Sequence, residues 1–74
     1  MNHSEQEFTN LIREHRSTIY TVCYMFSKNS DEVADLFQEI LINIWNGLEK
    51  FRGESSIRTW IWRISVNTCI SHQR

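Results

Sequence analysis

FRGESSIRTWIWRISVNTCISHQR, residues 51–74, decides how this chain folds. Its first six residues are a polar turn around Gly53, the natural residue for a positive φ. Ser55 or Ser56 then stands where a helix N-cap is needed. From Ile57 onward the apolar residues recur at helical intervals. Ile57, Trp60, Ile61, Ile64 and Thr68 make one strip, and Trp62, Val66 and Cys69 make a second. A helix that is apolar on two sides is sandwiched between others, so this helix, residues 56–73, is expected to be central, with Trp60 buried. A third strip carries Thr59, Arg63, Asn67, Ile70 and Arg74 and is left for solvent or a partner.

Working outward, the preceding residues supply two more helices. Over residues 4–27, Phe8, Leu11, Ile12, Ile19, Val22, Cys23 and Phe26 form one stripe, with His15 read as a partly buried edge residue. Ser4 and Glu7 have the spacing of a capping box. Asn29 and Ser30 break the pattern. A second helix is expected over residues 31–50, with Asp31 and Glu32 in a first turn that favours negative charge. Val33, Leu36, Phe37, Ile40, Leu41, Ile44 and Leu48 are its core stripe, and Trp45 lies on the flank. Gly47 is expected to loosen its last turns. Asp35, Gln38, Glu39, Ile42 and Asn46 fall on the opposite side. An isoleucine amid polar residues there suits a protein-binding face better than a merely solvated one. The expected fold is all-α, a compact bundle of three main helices. With 74 residues, no proline and two glycines, the chain is one domain just large enough for its own core.

Charge divides the chain in two. Residues 50–74 hold five basic side chains (Lys50, Arg52, Arg58, Arg63, Arg74) against Glu54 alone, giving +4. Residues 1–49 hold three basic side chains against eight acids, giving −5, so the net −1 conceals a basic, aromatic-rich end suited to an anionic partner. No nucleophile elbow, phosphate loop or metal-ligand spacing is present, so neither an enzyme nor a cofactor is expected. No stretch is apolar and long enough to span a bilayer. Cys23 and Cys69 sit inside helical patterns as free thiols, which fits a reducing cytoplasm. Arginines beside an aromatic, serines and an asparagine suit a single nucleic-acid strand: the cations meet phosphates, the ring stacks a base, and amide and hydroxyl groups read its edge. Nothing here has the punctuation of a duplex-reading helix-turn-helix.

The run DEVADLFQE from Asp31, then Trp45, then FRGESSIRTWIWRI from Phe51, then Asn67, resembles conserved region two of the extracytoplasmic-function (ECF) bacterial sigma factors. The likeness spans almost the whole chain and is strongest between Asp31 and Asn67. D-L-x-Q-E followed by F-R-G-E-S-S and T-W is a specific pair. Ser71 departs from the pattern, because family members often carry an acid there. The resemblance implies a helical bundle that binds RNA polymerase core and opens the promoter −10 element, with an anti-sigma factor as a further partner. Carried over, Asp35, Gln38 and Glu39, with Ile42 as the apolar centre of their face, would meet the clamp helices of the β′ subunit. Phe51, Arg52, Gly53, Glu54, Ser55 and Ser56, with Asn67, would hold one base flipped from the non-template strand. Arg58, Thr59 and Arg63 would hold the DNA beside it. The family's second domain, which reads the −35 element, is expected to be absent, leaving a truncated or excised region-two domain. The rival expectation is an adaptor bundle that binds only proteins through the second helix, which would need neither the charge split nor the basic turn.

Overall fold

The computed structural model describes residues 5–73, which form three helices and, among the described residues, no strand. They are α1 (Glu5–Phe26), α2 (Ser30–Leu48) and α3 (Ile57–His72). The expected capping box of Ser4 with Glu7 involves a residue outside the described set. Asn29, expected only as a break, is the N-cap of α2: its side chain accepts a hydrogen bond of 3.0 Å from the Glu32 amide. Ser27 finishes the α1–α2 corner, accepting from the Asn29 amide and donating to Glu32 Oε1.

Each helix packs against both others around one core of Ile19, Val22, Cys23, Val33, Leu36, Ile40, Ile44, Ile61 and Cys69. The stripes expected for α1 and α2 supply most of it. His15 departs from expectation: it is buried, 8% exposed, and its Nε2 finds no partner among the described residues. One helical turn from both Leu11 and Ile19, it lies in the stripe and not at its edge.

Helix α3 also differs from its reading. Ser65 is fully buried, with its hydroxyl donating to the Ile61 carbonyl at 2.8 Å. It lies on the helix between the two apolar strips, so the strips are halves of one broad arc. One half meets α1 and the other α2, so α3 packs against both, as a central helix should. Ser65, Thr68 and Cys69, all small, are the buried residues of α3 beside Ile61. Satisfying the buried hydroxyl within its own turn avoids the cost of an unpaired polar group. Trp62 is 38% exposed and outside the core.

Trp60, expected to be buried, is only half-buried. It covers the end of α2, with its ring 5.1 Å from that of Phe51 and its indole edge over Gly47. Gly47 therefore admits a tryptophan; it does not fray the helix, which continues to Leu48.

Candidate functional site

The turn between α2 and α3 is built as its sequence requires. Gly53 takes φ +78°, a conformation that side chains other than glycine's adopt at a cost, and a Cβ there would meet only open space. Glycine is thus needed for the backbone bend and not for packing. Arg52, Gly53 and Glu54 are exposed, and Ser55 is partly buried. Ser56 is the N-cap of α3. Its Oγ accepts from the Thr59 amide at 3.1 Å and lies 2.9 Å from Thr59 Oγ1. The Ser55 hydroxyl donates to the Ser56 carbonyl at 3.2 Å. The Ser56 hydroxyl is committed to the helix, so Ser55 and the backbone of the turn remain as the groups that can change partners. Phe51 is half-buried, its ring 5.1 Å from that of Trp60.

The structure does not gather all the expected DNA-binding residues at one point. Asn67 lies eleven residues along α3 from Ser56, roughly 16 Å at the helical rise. It lines a shallow cleft between α2 and α3 with Glu39, Asn43, Ile64, Thr68 and Ser71. None of the turn residues reaches that cleft, and one base cannot touch both. Arg58 and Thr59 line a different cleft, facing Ser17, Thr18 and Thr21 of α1 beside Trp62. Arg63 is exposed on the same outer strip as Asn67.

Asn43 was not singled out by sequence. Its Nδ2 donates to Thr68 Oγ1 at 2.8 Å while that hydroxyl donates to the Ile64 carbonyl at 2.7 Å. The chain of bonds fixes the Asn43 amide and leaves its carbonyl oxygen as an acceptor beside Asn67. The sequence signal was thin: one polar residue at the edge of a core stripe.

On α2, Asp35, Gln38, Ile42 and Asn46 are all exposed, and Ile42 reaches 58%. Glu39 is exposed too but turns toward α3, where His72 Nδ1 lies 2.8 Å from its Oε2. The same imidazole has its Nε2 3.9 Å from Glu32 Oε2. Next to it, Gln73 Nε2 donates to the Phe26 carbonyl at 3.1 Å, tying the end of α3 to the end of α1.

The described residues contain no group of three or more histidines, cysteines or acids placed to hold a metal ion. Cys23 and Cys69 are buried free thiols that meet across the core. Burial, reinforced by the neighbouring Cys69, pushes the Cys23 thiol up to about 11, and burial raises Cys69 as well. Such thiols are poor nucleophiles near neutral pH. No described helix is long and apolar enough to cross a membrane.

Comparison with known proteins places these features in a family. The model of the Sigma-70 region 2 family matches residues 11–74. The ECF RNA polymerase sigma factor SigG of Mycobacterium tuberculosis is 35% identical over 65 residues, which is 88% of this chain and 18% of that protein. The RNA polymerase sigma-H factor of Pseudomonas aeruginosa is 31% identical over 68 residues, 92% of this chain and 35% of its own length. The RNA polymerase sigma factor YlaC of Bacillus subtilis is 34% identical over 64 residues, 86% and 37% respectively. The chain thus spans little more than a third of these relatives at most. No solved structure gives a significant match.

Proposed function

The chain belongs to the Sigma-70 region 2 family, and from that premise we propose that it is a transcription-initiation domain with two working surfaces. The outer face of α2 docks on the clamp helices of the polymerase β′ subunit. The turn and the exposed strip of α3 take the non-template strand of the promoter −10 element.

The observation that carries this reading is how the signature residues are divided. Among the apolar ones, Val33, Leu36 and Ile61 are in the core. The polar ones and Ile42 are at the surface, in two groups on different elements. Residues kept out of a core this small are free to bind. On α2 the exposed Ile42 with Asp35, Gln38 and Glu39 suits a basic coiled coil that brings its own apolar contact. A core that excludes water, ringed by charges, gives both residence and fast capture.

The DNA surface accommodates two bases, not one. The turn takes a flipped base, with Gly53 letting the backbone come close and Ser55 and backbone groups bonding its edge. Phe51 bounds it on the side where it rests on Trp60. Farther along, Asn67 of α3 and Asn43 of α2 present amide groups to a second base of the same strand. Amides of this kind pair with the edge of adenine above all. Arg52 and Arg63 hold phosphates between the two positions and fix register without reading sequence. Arg58, turned toward α1, is outside this path. An adaptor that uses only α2 would leave the turn's exposed arginine and its glycine-dependent bend without a role.

Amide chemical shifts of the labelled domain test the two surfaces together. A matched −10 non-template oligonucleotide should move resonances of residues 51–56 and of Arg63 and Asn67. A β′ clamp-helix fragment should move Asp35, Gln38 and Ile42. If both ligands moved the same residues, or the oligonucleotide moved none, the two-surface reading would fail.

A further inference from the structure

We propose that His72 is a positioning residue for the polymerase-facing surface, holding the Glu39 carboxylate in one orientation on α2. The inference rests on the docking role given to that face above.

The contact joins the last turn of α3 to the middle of α2, 33 residues away in sequence, at 2.8 Å. A carboxylate oxygen only accepts, so Nδ1 carries the hydrogen and donates it to Glu39 Oε2. The ring needs no charge to do this. One oxygen is then engaged; the other remains available to a basic partner, and the carboxylate keeps its charge. On the far side of the ring Glu32 Oε2 lies 3.9 Å from Nε2, beyond hydrogen-bond distance, and Glu32 is itself bonded through Oε1 to Ser27. Gln73, the next residue, is bonded to the Phe26 carbonyl. Two adjacent residues at the end of α3 therefore bond to different helices, His72 to Glu39 of α2 and Gln73 to Phe26 of α1.

This arrangement does little for folding. The Glu39 and His72 side chains are 47% and 28% exposed, and exposed pairs of this kind contribute little to stability. Its effect lies in the free surface. A glutamate has several rotatable bonds, and fixing it on binding costs affinity unless the fixing is done beforehand. His72 does it beforehand. The second wall of the same cleft carries Asn67, so the carboxylate is also kept from swinging across the strip assigned to DNA.

The test is the affinity of a β′ clamp-helix fragment for wild type, Glu39→Gln, His72→Ala, His72→Asn and the Glu39→Gln/His72→Ala pair, with a thermal melt of each. His72→Ala should weaken binding roughly threefold to tenfold, the cost of ordering one long side chain, with little change in melting temperature. His72→Asn, whose amide stands where Nδ1 was, should restore most of the loss. In the Glu39→Gln background the further loss from His72→Ala should shrink toward none. A loss from His72→Ala that persists undiminished in that background would overturn the proposal and leave His72 a scaffold residue. Unchanged affinity on Glu39→Gln alone would remove Glu39 from docking and this inference with it. Weakening by Glu39→Gln but not by His72→Ala would sink the positioning role and leave the docking face standing.

Discussion

Trp60 lies across Gly47, so close that a Cβ added to the glycine would stand 3.2 Å from Cζ2 of the indole and 3.9 Å from Ile64 Cδ1. This joint holds the start of α3 to the end of α2 and sets where the turn between them sits. Gly47→Ala asks the partly buried indole to move by a few tenths of an ångström, and the helix gains about 1 kcal/mol of propensity in return. The two should nearly cancel. Gly47→Leu has no such compensation and should cost about 1–3 kcal/mol by overpacking. Trp60→Ala should cost about 3 kcal/mol, the low end for a large aromatic because the ring is only partly buried. Urea unfolding of the singles and the double checks the joint: Gly47→Leu should cost much less once Trp60 is alanine. Strict additivity would mean the two do not meet.

The paired thiols predict an alkaline limit to stability. In the unfolded chain Cys23 ionises near its ordinary value of 9.0, and in the folded chain at about 11. The unfolded state then releases protons first as pH rises. The contribution to stability is complete below pH 9 and is lost as pH climbs toward 11. Cys69, also raised by burial, acts in the same direction. Urea midpoints should fall between pH 8 and pH 10.5 more steeply in wild type than in Cys23→Ala. Native protein at pH 8 should resist a thiol reagent that reacts at once after unfolding. Fast stoichiometric labelling of the native state would contradict the buried pair.

On the α2 face, charge and apolar contact should separate kinetically. Asp35→Ala should slow association with the β′ fragment at low salt and lose that effect as salt screens the charge. Ile42→Ala should speed dissociation at any salt. Because both side chains are exposed, neither change should alter the unfolding free energy by more than about 0.5 kcal/mol. A double variant, Asp35→Ala/Ile42→Glu, that bound as tightly as wild type would exclude this face.

Much of this was legible before any coordinates. The three helices follow from apolar spacing alone. Gly53 and Ser56 follow from local chemistry, since a glycine and a serine just ahead of an apolar-periodic run have few other uses. What was not legible depends on how helices meet. Ser65 is polar, so periodicity divided one buried arc into two strips. It is buried because its hydroxyl bonds to the Ile61 carbonyl of its own helix and so needs no water. Gly47 reads as a weak point in a helix until the indole opposite it is known. Asn67 and the turn look like one site in a motif written end to end. The helix between them, roughly 16 Å of it, makes them two. Asn43 and His72 carry no signal on their own, because each matters only through a partner on another helix.

Separation of the turn from Asn67, with both reading one strand, is the center of the account. The most direct measurement is the affinity of wild type, Arg63→Ala and Asn67→Ala for a matched −10 non-template strand and for scrambled strands of equal length, over a range of salt. Arg63→Ala should weaken every strand alike and reduce the salt slope by about 0.7, as for one phosphate contact on a single strand. Asn67→Ala should lose roughly 1–3 kcal/mol on the matched strand and little on the others, at an unchanged melting temperature. Single-base changes in the matched strand should then show its remaining preference at a different nucleotide, the one held by the turn. Equal loss on every strand for Asn67→Ala, or a fall in melting temperature with preference intact, would contradict the account.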